Sequence, residues 1–154
     1  MSGVGETAQE IRIRVAGIIC KQNKMLLIGH KKAGKEYWLL PGGGVNFGES
    51  LADALKREFI EELNLKIEVG DVAFILDSIA PNSERHIVNI CFNCAALADD
   101  IKLGNEDRLS GFGFFDAKTM ASIQIYPPIN TILIDVLNGG RDKAKIYCGT
   151  MWSE

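Results

Sequence analysis

The sequence predicts a single domain of the mixed α/β class. Short stretches that alternate apolar and polar residues, or run apolar for a few positions, recur along the chain at strand length. Among them lies one segment, Ser50 to Leu63, with helical spacing and a capping residue at its start. A second helical segment follows Pro127-Pro128. Strands interleaved with helices imply helices packed on a sheet around one core. The 154 residues suffice for one such domain, burying roughly 70% of the surface that the unfolded chain exposes.

From the N-terminus, residues 1–9 read as a loose polar tail and residues 10–154 as the domain. Ile11, Ile13 and Val15 alternate with Arg12 and Arg14, which predicts a half-buried strand running on towards Cys20. Gln22-Asn23 makes a turn into a second strand, Met25 to His30. A basic loop, Lys31 to Lys35, leads into a short aromatic strand from Tyr37 to Leu40. Pro41 and the run Gly42-Gly43-Gly44 then break the pattern. In the helix that follows, Leu51, Leu55 and Phe59 form an apolar stripe, and Ser50 with Asp53 suits a capping box. Two strands are expected next, over about 66–77 and 86–97, joined by a loop holding Pro81, Asn82 and Ser83. A polar loop from Asp99 to Ser110 precedes a short strand at Phe112 to Phe115. The last helix opens at Pro127-Pro128 and keeps helical spacing through Ile129, Ile132, Leu133, Val136 and Leu137. Gly139-Gly140 ends it.

Composition narrows the function. Apolar residues make up 47% and charged residues 24%, the balance of an ordinary globular chain. No apolar run approaches the ~18 residues that span a bilayer. The polar start, Met1 to Glu10, lacks an apolar leader, so a cytoplasmic address is expected. A net charge of −3 argues against a stable nucleic-acid partner. It leaves nucleotides open, because a bound divalent cation reverses the local sign of an acidic pocket. Cys91 and Cys94 have the spacing of half a zinc site, but no second pair follows at a ligand spacing. In an extended run an offset of three puts them on opposite faces, so they read as buried structural cysteines.

The chemistry concentrates between Gly43 and Leu65. Glu58, Glu61 and Glu62 stand at i, i+3 and i+4 and share a helix face. At ~100° per residue, Glu62 projects close to Leu55 and Glu58 close to Leu51, so both border the apolar stripe. Lys56, Arg57 and Asp53 project to the far side and can be solvated. Partly buried carboxylates without a cationic neighbour are costly, and a hard divalent cation would relieve them. The plainer reading is a solvated acidic face on an ordinary helix.

The surrounding residues favour the metal. Gly43, five residues, Glu49, seven residues, then Arg57-Glu58-Phe59-Ile60-Glu61-Glu62-Leu63-Asn64-Leu65 resembles the Nudix box. That pattern is Gly-x5-Glu-x7-Arg-Glu-apolar-x-Glu-Glu-x-Gly-apolar, and only Asn64 departs from it. Tyr37 to Gly43 and Tyr126-Pro127-Pro128 also resemble flanks usual in the family. The resemblance implies an α/β/α sandwich with a mixed sheet. At a left-handed helix end Asn is the next-best residue after Gly, so a small stability cost is expected.

The resemblance also implies a mechanism. Glu58, Glu61 and Glu62 would bind Mg²⁺, with Mn²⁺ a substitute and the Gly43 carbonyl a helper. Arg57 would orient the carboxylates through an ion pair, with Glu49 as partner. Glu106, or its rival Asp107, would be an added base or ligand from a later loop. Lys31, Lys32 and Lys35, and Arg85, are candidates to meet phosphates; solvation is the alternative. His86 reads as a packed histidine, and Tyr37 and Trp38 as core aromatics rather than base-stacking groups.

The implied reaction is hydrolysis of a diphosphate linkage in a nucleoside diphosphate derivative. Pro81, sixteen residues after Leu65, slightly favours ADP-ribose. The alternatives are removal of oxidised or non-canonical nucleoside triphosphates, as by MutT, and a silent nucleotide-binding module. A silent module usually loses box carboxylates, and this chain keeps them. Ile60 and Trp152, read as exposed, hint at a homodimer surface.

Overall fold

The computed structural model describes residues 9–152. Apart from Gln9, the tail expected over residues 1–9 lies outside them. The elements run β1 (Ile11–Ile18), β2 (Cys20–Lys21), β3 (Lys24–Lys32), β4 (Lys35–Leu39), β5 (Gly42–Gly44) and α1 (Leu51–Leu63). They continue with β6 (Ile67–Ile79), β7 (His86–Ala96), β8 (Leu109–Phe115), α2 (Ala117–Ser122), α3 (Asn130–Leu137) and β9 (Tyr147–Thr150).

The strands divide between two sheets. One has five strands in the order β5-β1-β7-β6-β9; in the other, β3 pairs with β2, β4 and β8. The first is mixed, since β1 runs parallel to β7 and antiparallel to β5. Strand alternation then sorts the core into two layers. Val15 and Phe92 face α1, packing with Leu55, Phe59 and Leu63. Ala16, Cys91 and Leu76 face the other way, onto Met120 of α2 and Leu133 of α3. Helices therefore cover both faces of the mixed sheet. Leu55, Phe59 and Leu63 are fully buried, each burial stabilising the fold by about 1.5–3 kcal/mol. That packing anchors α1 and everything it carries.

Several expectations change in the structure. Gly42–Gly44 is a short strand on β1 rather than a break. Glycine is needed there because a Cβ on Gly42 would meet the Val15 carbonyl. β8 begins at Leu109 rather than Phe112, and α3 at Asn130, two residues beyond the prolines. β9 and α2 have too few residues to show a period. Leu51 is exposed, beyond the edge of the core that takes Leu55. Trp152 is half-buried against Tyr126, ring centroids 5.8 Å apart, whereas Ile60 is exposed as expected. Cys91 and Cys94 are free and lie on opposite faces of β7. Among the described residues, no helix is long and apolar enough to cross a membrane.

Candidate active site

The site forms where α1 crosses the β5 glycines. Ser50 caps α1, its side chain accepting from the Asp53 N–H at 3.0 Å. From there, helical spacing carries Glu58 and Glu62 onto the buried face. The Gly42 N–H donates to Glu62 Oε1 at 2.9 Å. A Cβ on Gly43 would strike the Glu58 carboxyl group, so only glycine admits the helix this close. Glu62 is fully buried and Glu58 is 7% exposed. Each keeps one oxygen, Oε2, buried without a hydrogen-bond partner.

Arg57 spans the remaining carboxylates. Its Nε and Nη2 donate to the two oxygens of Glu49, at 2.8 and 2.9 Å. Nη1 donates to Glu58 Oε1 at 2.8 Å and lies 3.4 Å from both oxygens of Glu61. Nη2 also reaches the Gly44 carbonyl at 3.0 Å. All five guanidinium donors are directed at oxygen. Arg57 is thus folded back over the site rather than extended into solvent.

The electrostatics follow from this arrangement. Glu49 accepts two charge-assisted hydrogen bonds from Arg57 and one from the Asn46 N–H, and its pKa falls to about 2. The same bond to Glu49 raises the Arg57 pKa. Burial pushes the Glu58 carboxyl up, against the pull of Arg57, and the charges of Glu62 and Glu61 add to the rise. Glu58 thus carries a costly buried charge and has an oxygen to spare.

Two buried, unpartnered carboxylate oxygens beside a glycine backbone suit a hard divalent cation. Among the described residues, no three His, Cys, Asp or Glu side chains gather closely enough to hold a metal between them. Glu61 is half-exposed and turned to Arg57. The donor set therefore fits Mg²⁺, which keeps several waters and takes substrate phosphates alongside one or two carboxylates.

The later loop is drawn to the same helix. The Lys102 N–H donates to the Leu63 carbonyl and the Gly104 N–H to that of Glu62, at 3.0 and 2.8 Å. Glu106, two residues on, is exposed and accepts from Arg108 Nε at 2.6 Å. The Arg108 carbonyl in turn accepts from the Lys31 N–H at 2.8 Å. The loop that carries Glu106 and Asp107 thus runs from the C-terminal end of α1 to Lys31 of β3. Lys32 is exposed on the β3–β4 hairpin. Arg85 lies exposed in the β6–β7 loop.

His86 is partly buried, with Nε2 3.2 Å from Asp77 Oδ1. His30, read only as a strand end, is 7% exposed with Nε2 3.7 Å from Glu62 Oε2. Its one sequence signal was its alternation with Leu26 and Ile28, which face α1.

A model of the NUDIX domain matches residues 10–133 of the chain. The chain belongs to the Nudix family. Among Nudix relatives, the ADP-ribose pyrophosphatase of Methanocaldococcus jannaschii is 31% identical over 112 residues. That match takes in 72% of this chain and 65% of the relative, so the chain spans just under two thirds of it. A MutT-like protein of Streptomyces ambofaciens is 30% identical over 137 residues, 89% of this chain and 84% of that protein. The crystal structure of a MutT NUDIX hydrolase from Burkholderia pseudomallei shares the fold. Its TM-score is 0.71 at 24% identity, covering 82% of this chain and 97% of that one.

The one departure from the Nudix box adds a contact. Asn64 takes the left-handed conformation at the end of α1, φ 51° and ψ 34°. Its Nδ2 donates to the Lys102 carbonyl at 2.8 Å, which a glycine could not do. The substitution ties the Glu106-bearing loop to the Nudix helix.

Proposed function

We propose that the chain is a Mg²⁺-dependent hydrolase of the diphosphate linkage in a nucleoside diphosphate derivative, ADP-ribose or a close analogue. The observation that carries this reading is the pair of buried, unpartnered oxygens, Glu58 Oε2 and Glu62 Oε2, beside Gly42 and Gly43. Glu58 and Glu62 would hold the cation, with the Gly43 carbonyl and Glu61 as further ligands. The bound Mg²⁺, or Mn²⁺ in its place, would offset the negative charge that develops on the diphosphate oxygens. Arg57 keeps Glu58 aligned and holds Glu49 beside it. Glu106, with Asp107 as its rival, would take a proton from the attacking water. Lys31, Lys32 and Arg85 would bind the outer phosphate oxygens. Water forms a bond to one phosphorus while the bridging P–O bond breaks, giving a nucleoside monophosphate and the other phosphorylated half.

ADP-ribose is favoured by the Methanocaldococcus relative and by the placement of Pro81 in the β6–β7 loop. A second reading, hydrolysis of oxidised nucleoside triphosphates to monophosphates, is favoured by a Buchnera aphidicola relative named 8-oxo-dGTP diphosphatase, 46% identical over 57 residues, 34% of this chain and 42% of that protein. The test is turnover with Mg²⁺ on ADP-ribose, sugar nucleotides and oxidised triphosphates, resolved by chromatography of products. AMP and ribose 5-phosphate are expected from ADP-ribose. Monophosphate and pyrophosphate from the triphosphates alone would select the second reading. No turnover of any of them would overturn both.

A further inference from the structure

His30 is a buried polar side chain facing the site without a task in the reaction above. It continues the alternation of Leu26 and Ile28, which face α1, and β3 keeps its register with β4 through it, His30 opposite Tyr37. The Tyr37 ring packs edge-on to the imidazole, centroids 5.6 Å apart, and limits its sideways movement.

His30 Nε2 lies 3.7 Å from Glu62 Oε2, and neither atom has another partner. The other Glu62 oxygen already accepts from the Gly42 N–H. A buried donor and acceptor left unpartnered are each costly to the fold. At this separation a small ring rotation brings them within hydrogen-bond range. We propose that His30 is a positioning residue for Glu62. Its Nε2–H donates to Oε2 and, with the Gly42 N–H on Oε1, fixes the orientation of a carboxylate that would hold a divalent cation. The inference rests on Glu62 being a metal ligand. Partners of this kind, one bond removed from a metal, change its affinity by about 10–100-fold.

The experiment measures Mn²⁺ affinity of the full chain from the free-ion signal in electron paramagnetic resonance. Wild type is compared with His30→Leu, His30→Gln and Glu62→Gln, and circular dichroism checks that each is folded. Leucine keeps bulk without a donor, and the glutamine amide places a donor near the Nε2 position. His30→Leu is expected to weaken Mn²⁺ binding about tenfold or more, with His30→Gln recovering most of it. Wild-type affinity in His30→Leu, with a loss in Glu62→Gln, overturns the role of His30 and leaves the metal reading standing. Unchanged affinity in Glu62→Gln overturns the metal reading itself. Equal losses in His30→Leu and His30→Gln overturn the donor role. If the leucine variant does not fold, His30→Asn replaces it: its shorter donor falls out of reach, and affinity equal to that of His30→Gln counts against the inference.

Discussion

Arg57 grips both oxygens of Glu49, Nε on Oε2 and Nη2 on Oε1, across the turn that opens α1. The grip turns the guanidinium so that Nη1 reaches Glu58 at 2.8 Å. Lysine has no second donor in a fixed plane, so Arg57→Lys should keep the charge and lose the alignment. We expect turnover to fall at least about tenfold, with a smaller loss of stability. Steady-state kinetics beside a urea melt measures both, and wild-type turnover would deny Arg57 an orienting role.

The same pair sets a pH dependence. Glu49 is held at about 2 against an ordinary 4.5, so its folded pKa lies below its unfolded one. Its stabilisation is complete above the unfolded value and is lost as pH falls through 4.5 towards about 2. Glu49→Gln should be less stable than wild type above pH ~5, and the two should converge as pH falls to about 2. Urea melts across that window check the sign.

Glu58 behaves oppositely, because burial raises its pKa. Without metal, Glu58→Gln should be at least as stable as wild type, since a neutral amide replaces a buried charge. Mg²⁺ should raise the wild-type melting temperature, and excess EDTA should return it. Neither Glu58→Gln nor Glu62→Gln should show that rise, and turnover should drop by about two orders of magnitude or more. A full Mg²⁺ shift in both variants would remove these carboxylates from the metal.

Gly43→Ala should act through Glu58. The added Cβ would occupy the position of the carboxyl group, forcing either β5 or the Glu58 side chain away. Overpacking of this kind destabilises by about 1–3 kcal/mol. Loss of the Mg²⁺-induced thermal shift should exceed what that destabilisation explains, since Glu58 itself is displaced.

Asn64→Gly restores the residue of the family pattern and keeps the left-handed end of α1, but removes the bond to the Lys102 carbonyl. Stability should fall by about 1 kcal/mol or less. Hydrogen exchange should rise at Lys102 and Gly104, whose N–H groups bond to the end of α1. Unchanged exchange there would show that Asn64 does not hold the loop.

What the sequence determined was set by local spacing. The i, i+3, i+4 pattern put Glu58 and Glu62 beside Leu55 on any helix that formed, and the core accepted that face. Ser50, Asn64 and the alternation of β1 and β7 were legible because caps and periods are properties of neighbours in the chain.

Tertiary structure decided what pairing over long separations creates. The Gly42–Gly44 run reads as a breaker and became a strand because β1 offered it an edge. Helical projection sent Arg57 outward, but a flexible stem folded back onto charges that only the β5 turn brings near. His30 met Glu62 only because β3, with Leu26 and Ile28 on the same face, packs against α1. Local rules act through bonded neighbours, whereas these contacts depend on which distant backbone satisfies which, and that is settled only when the sheets close.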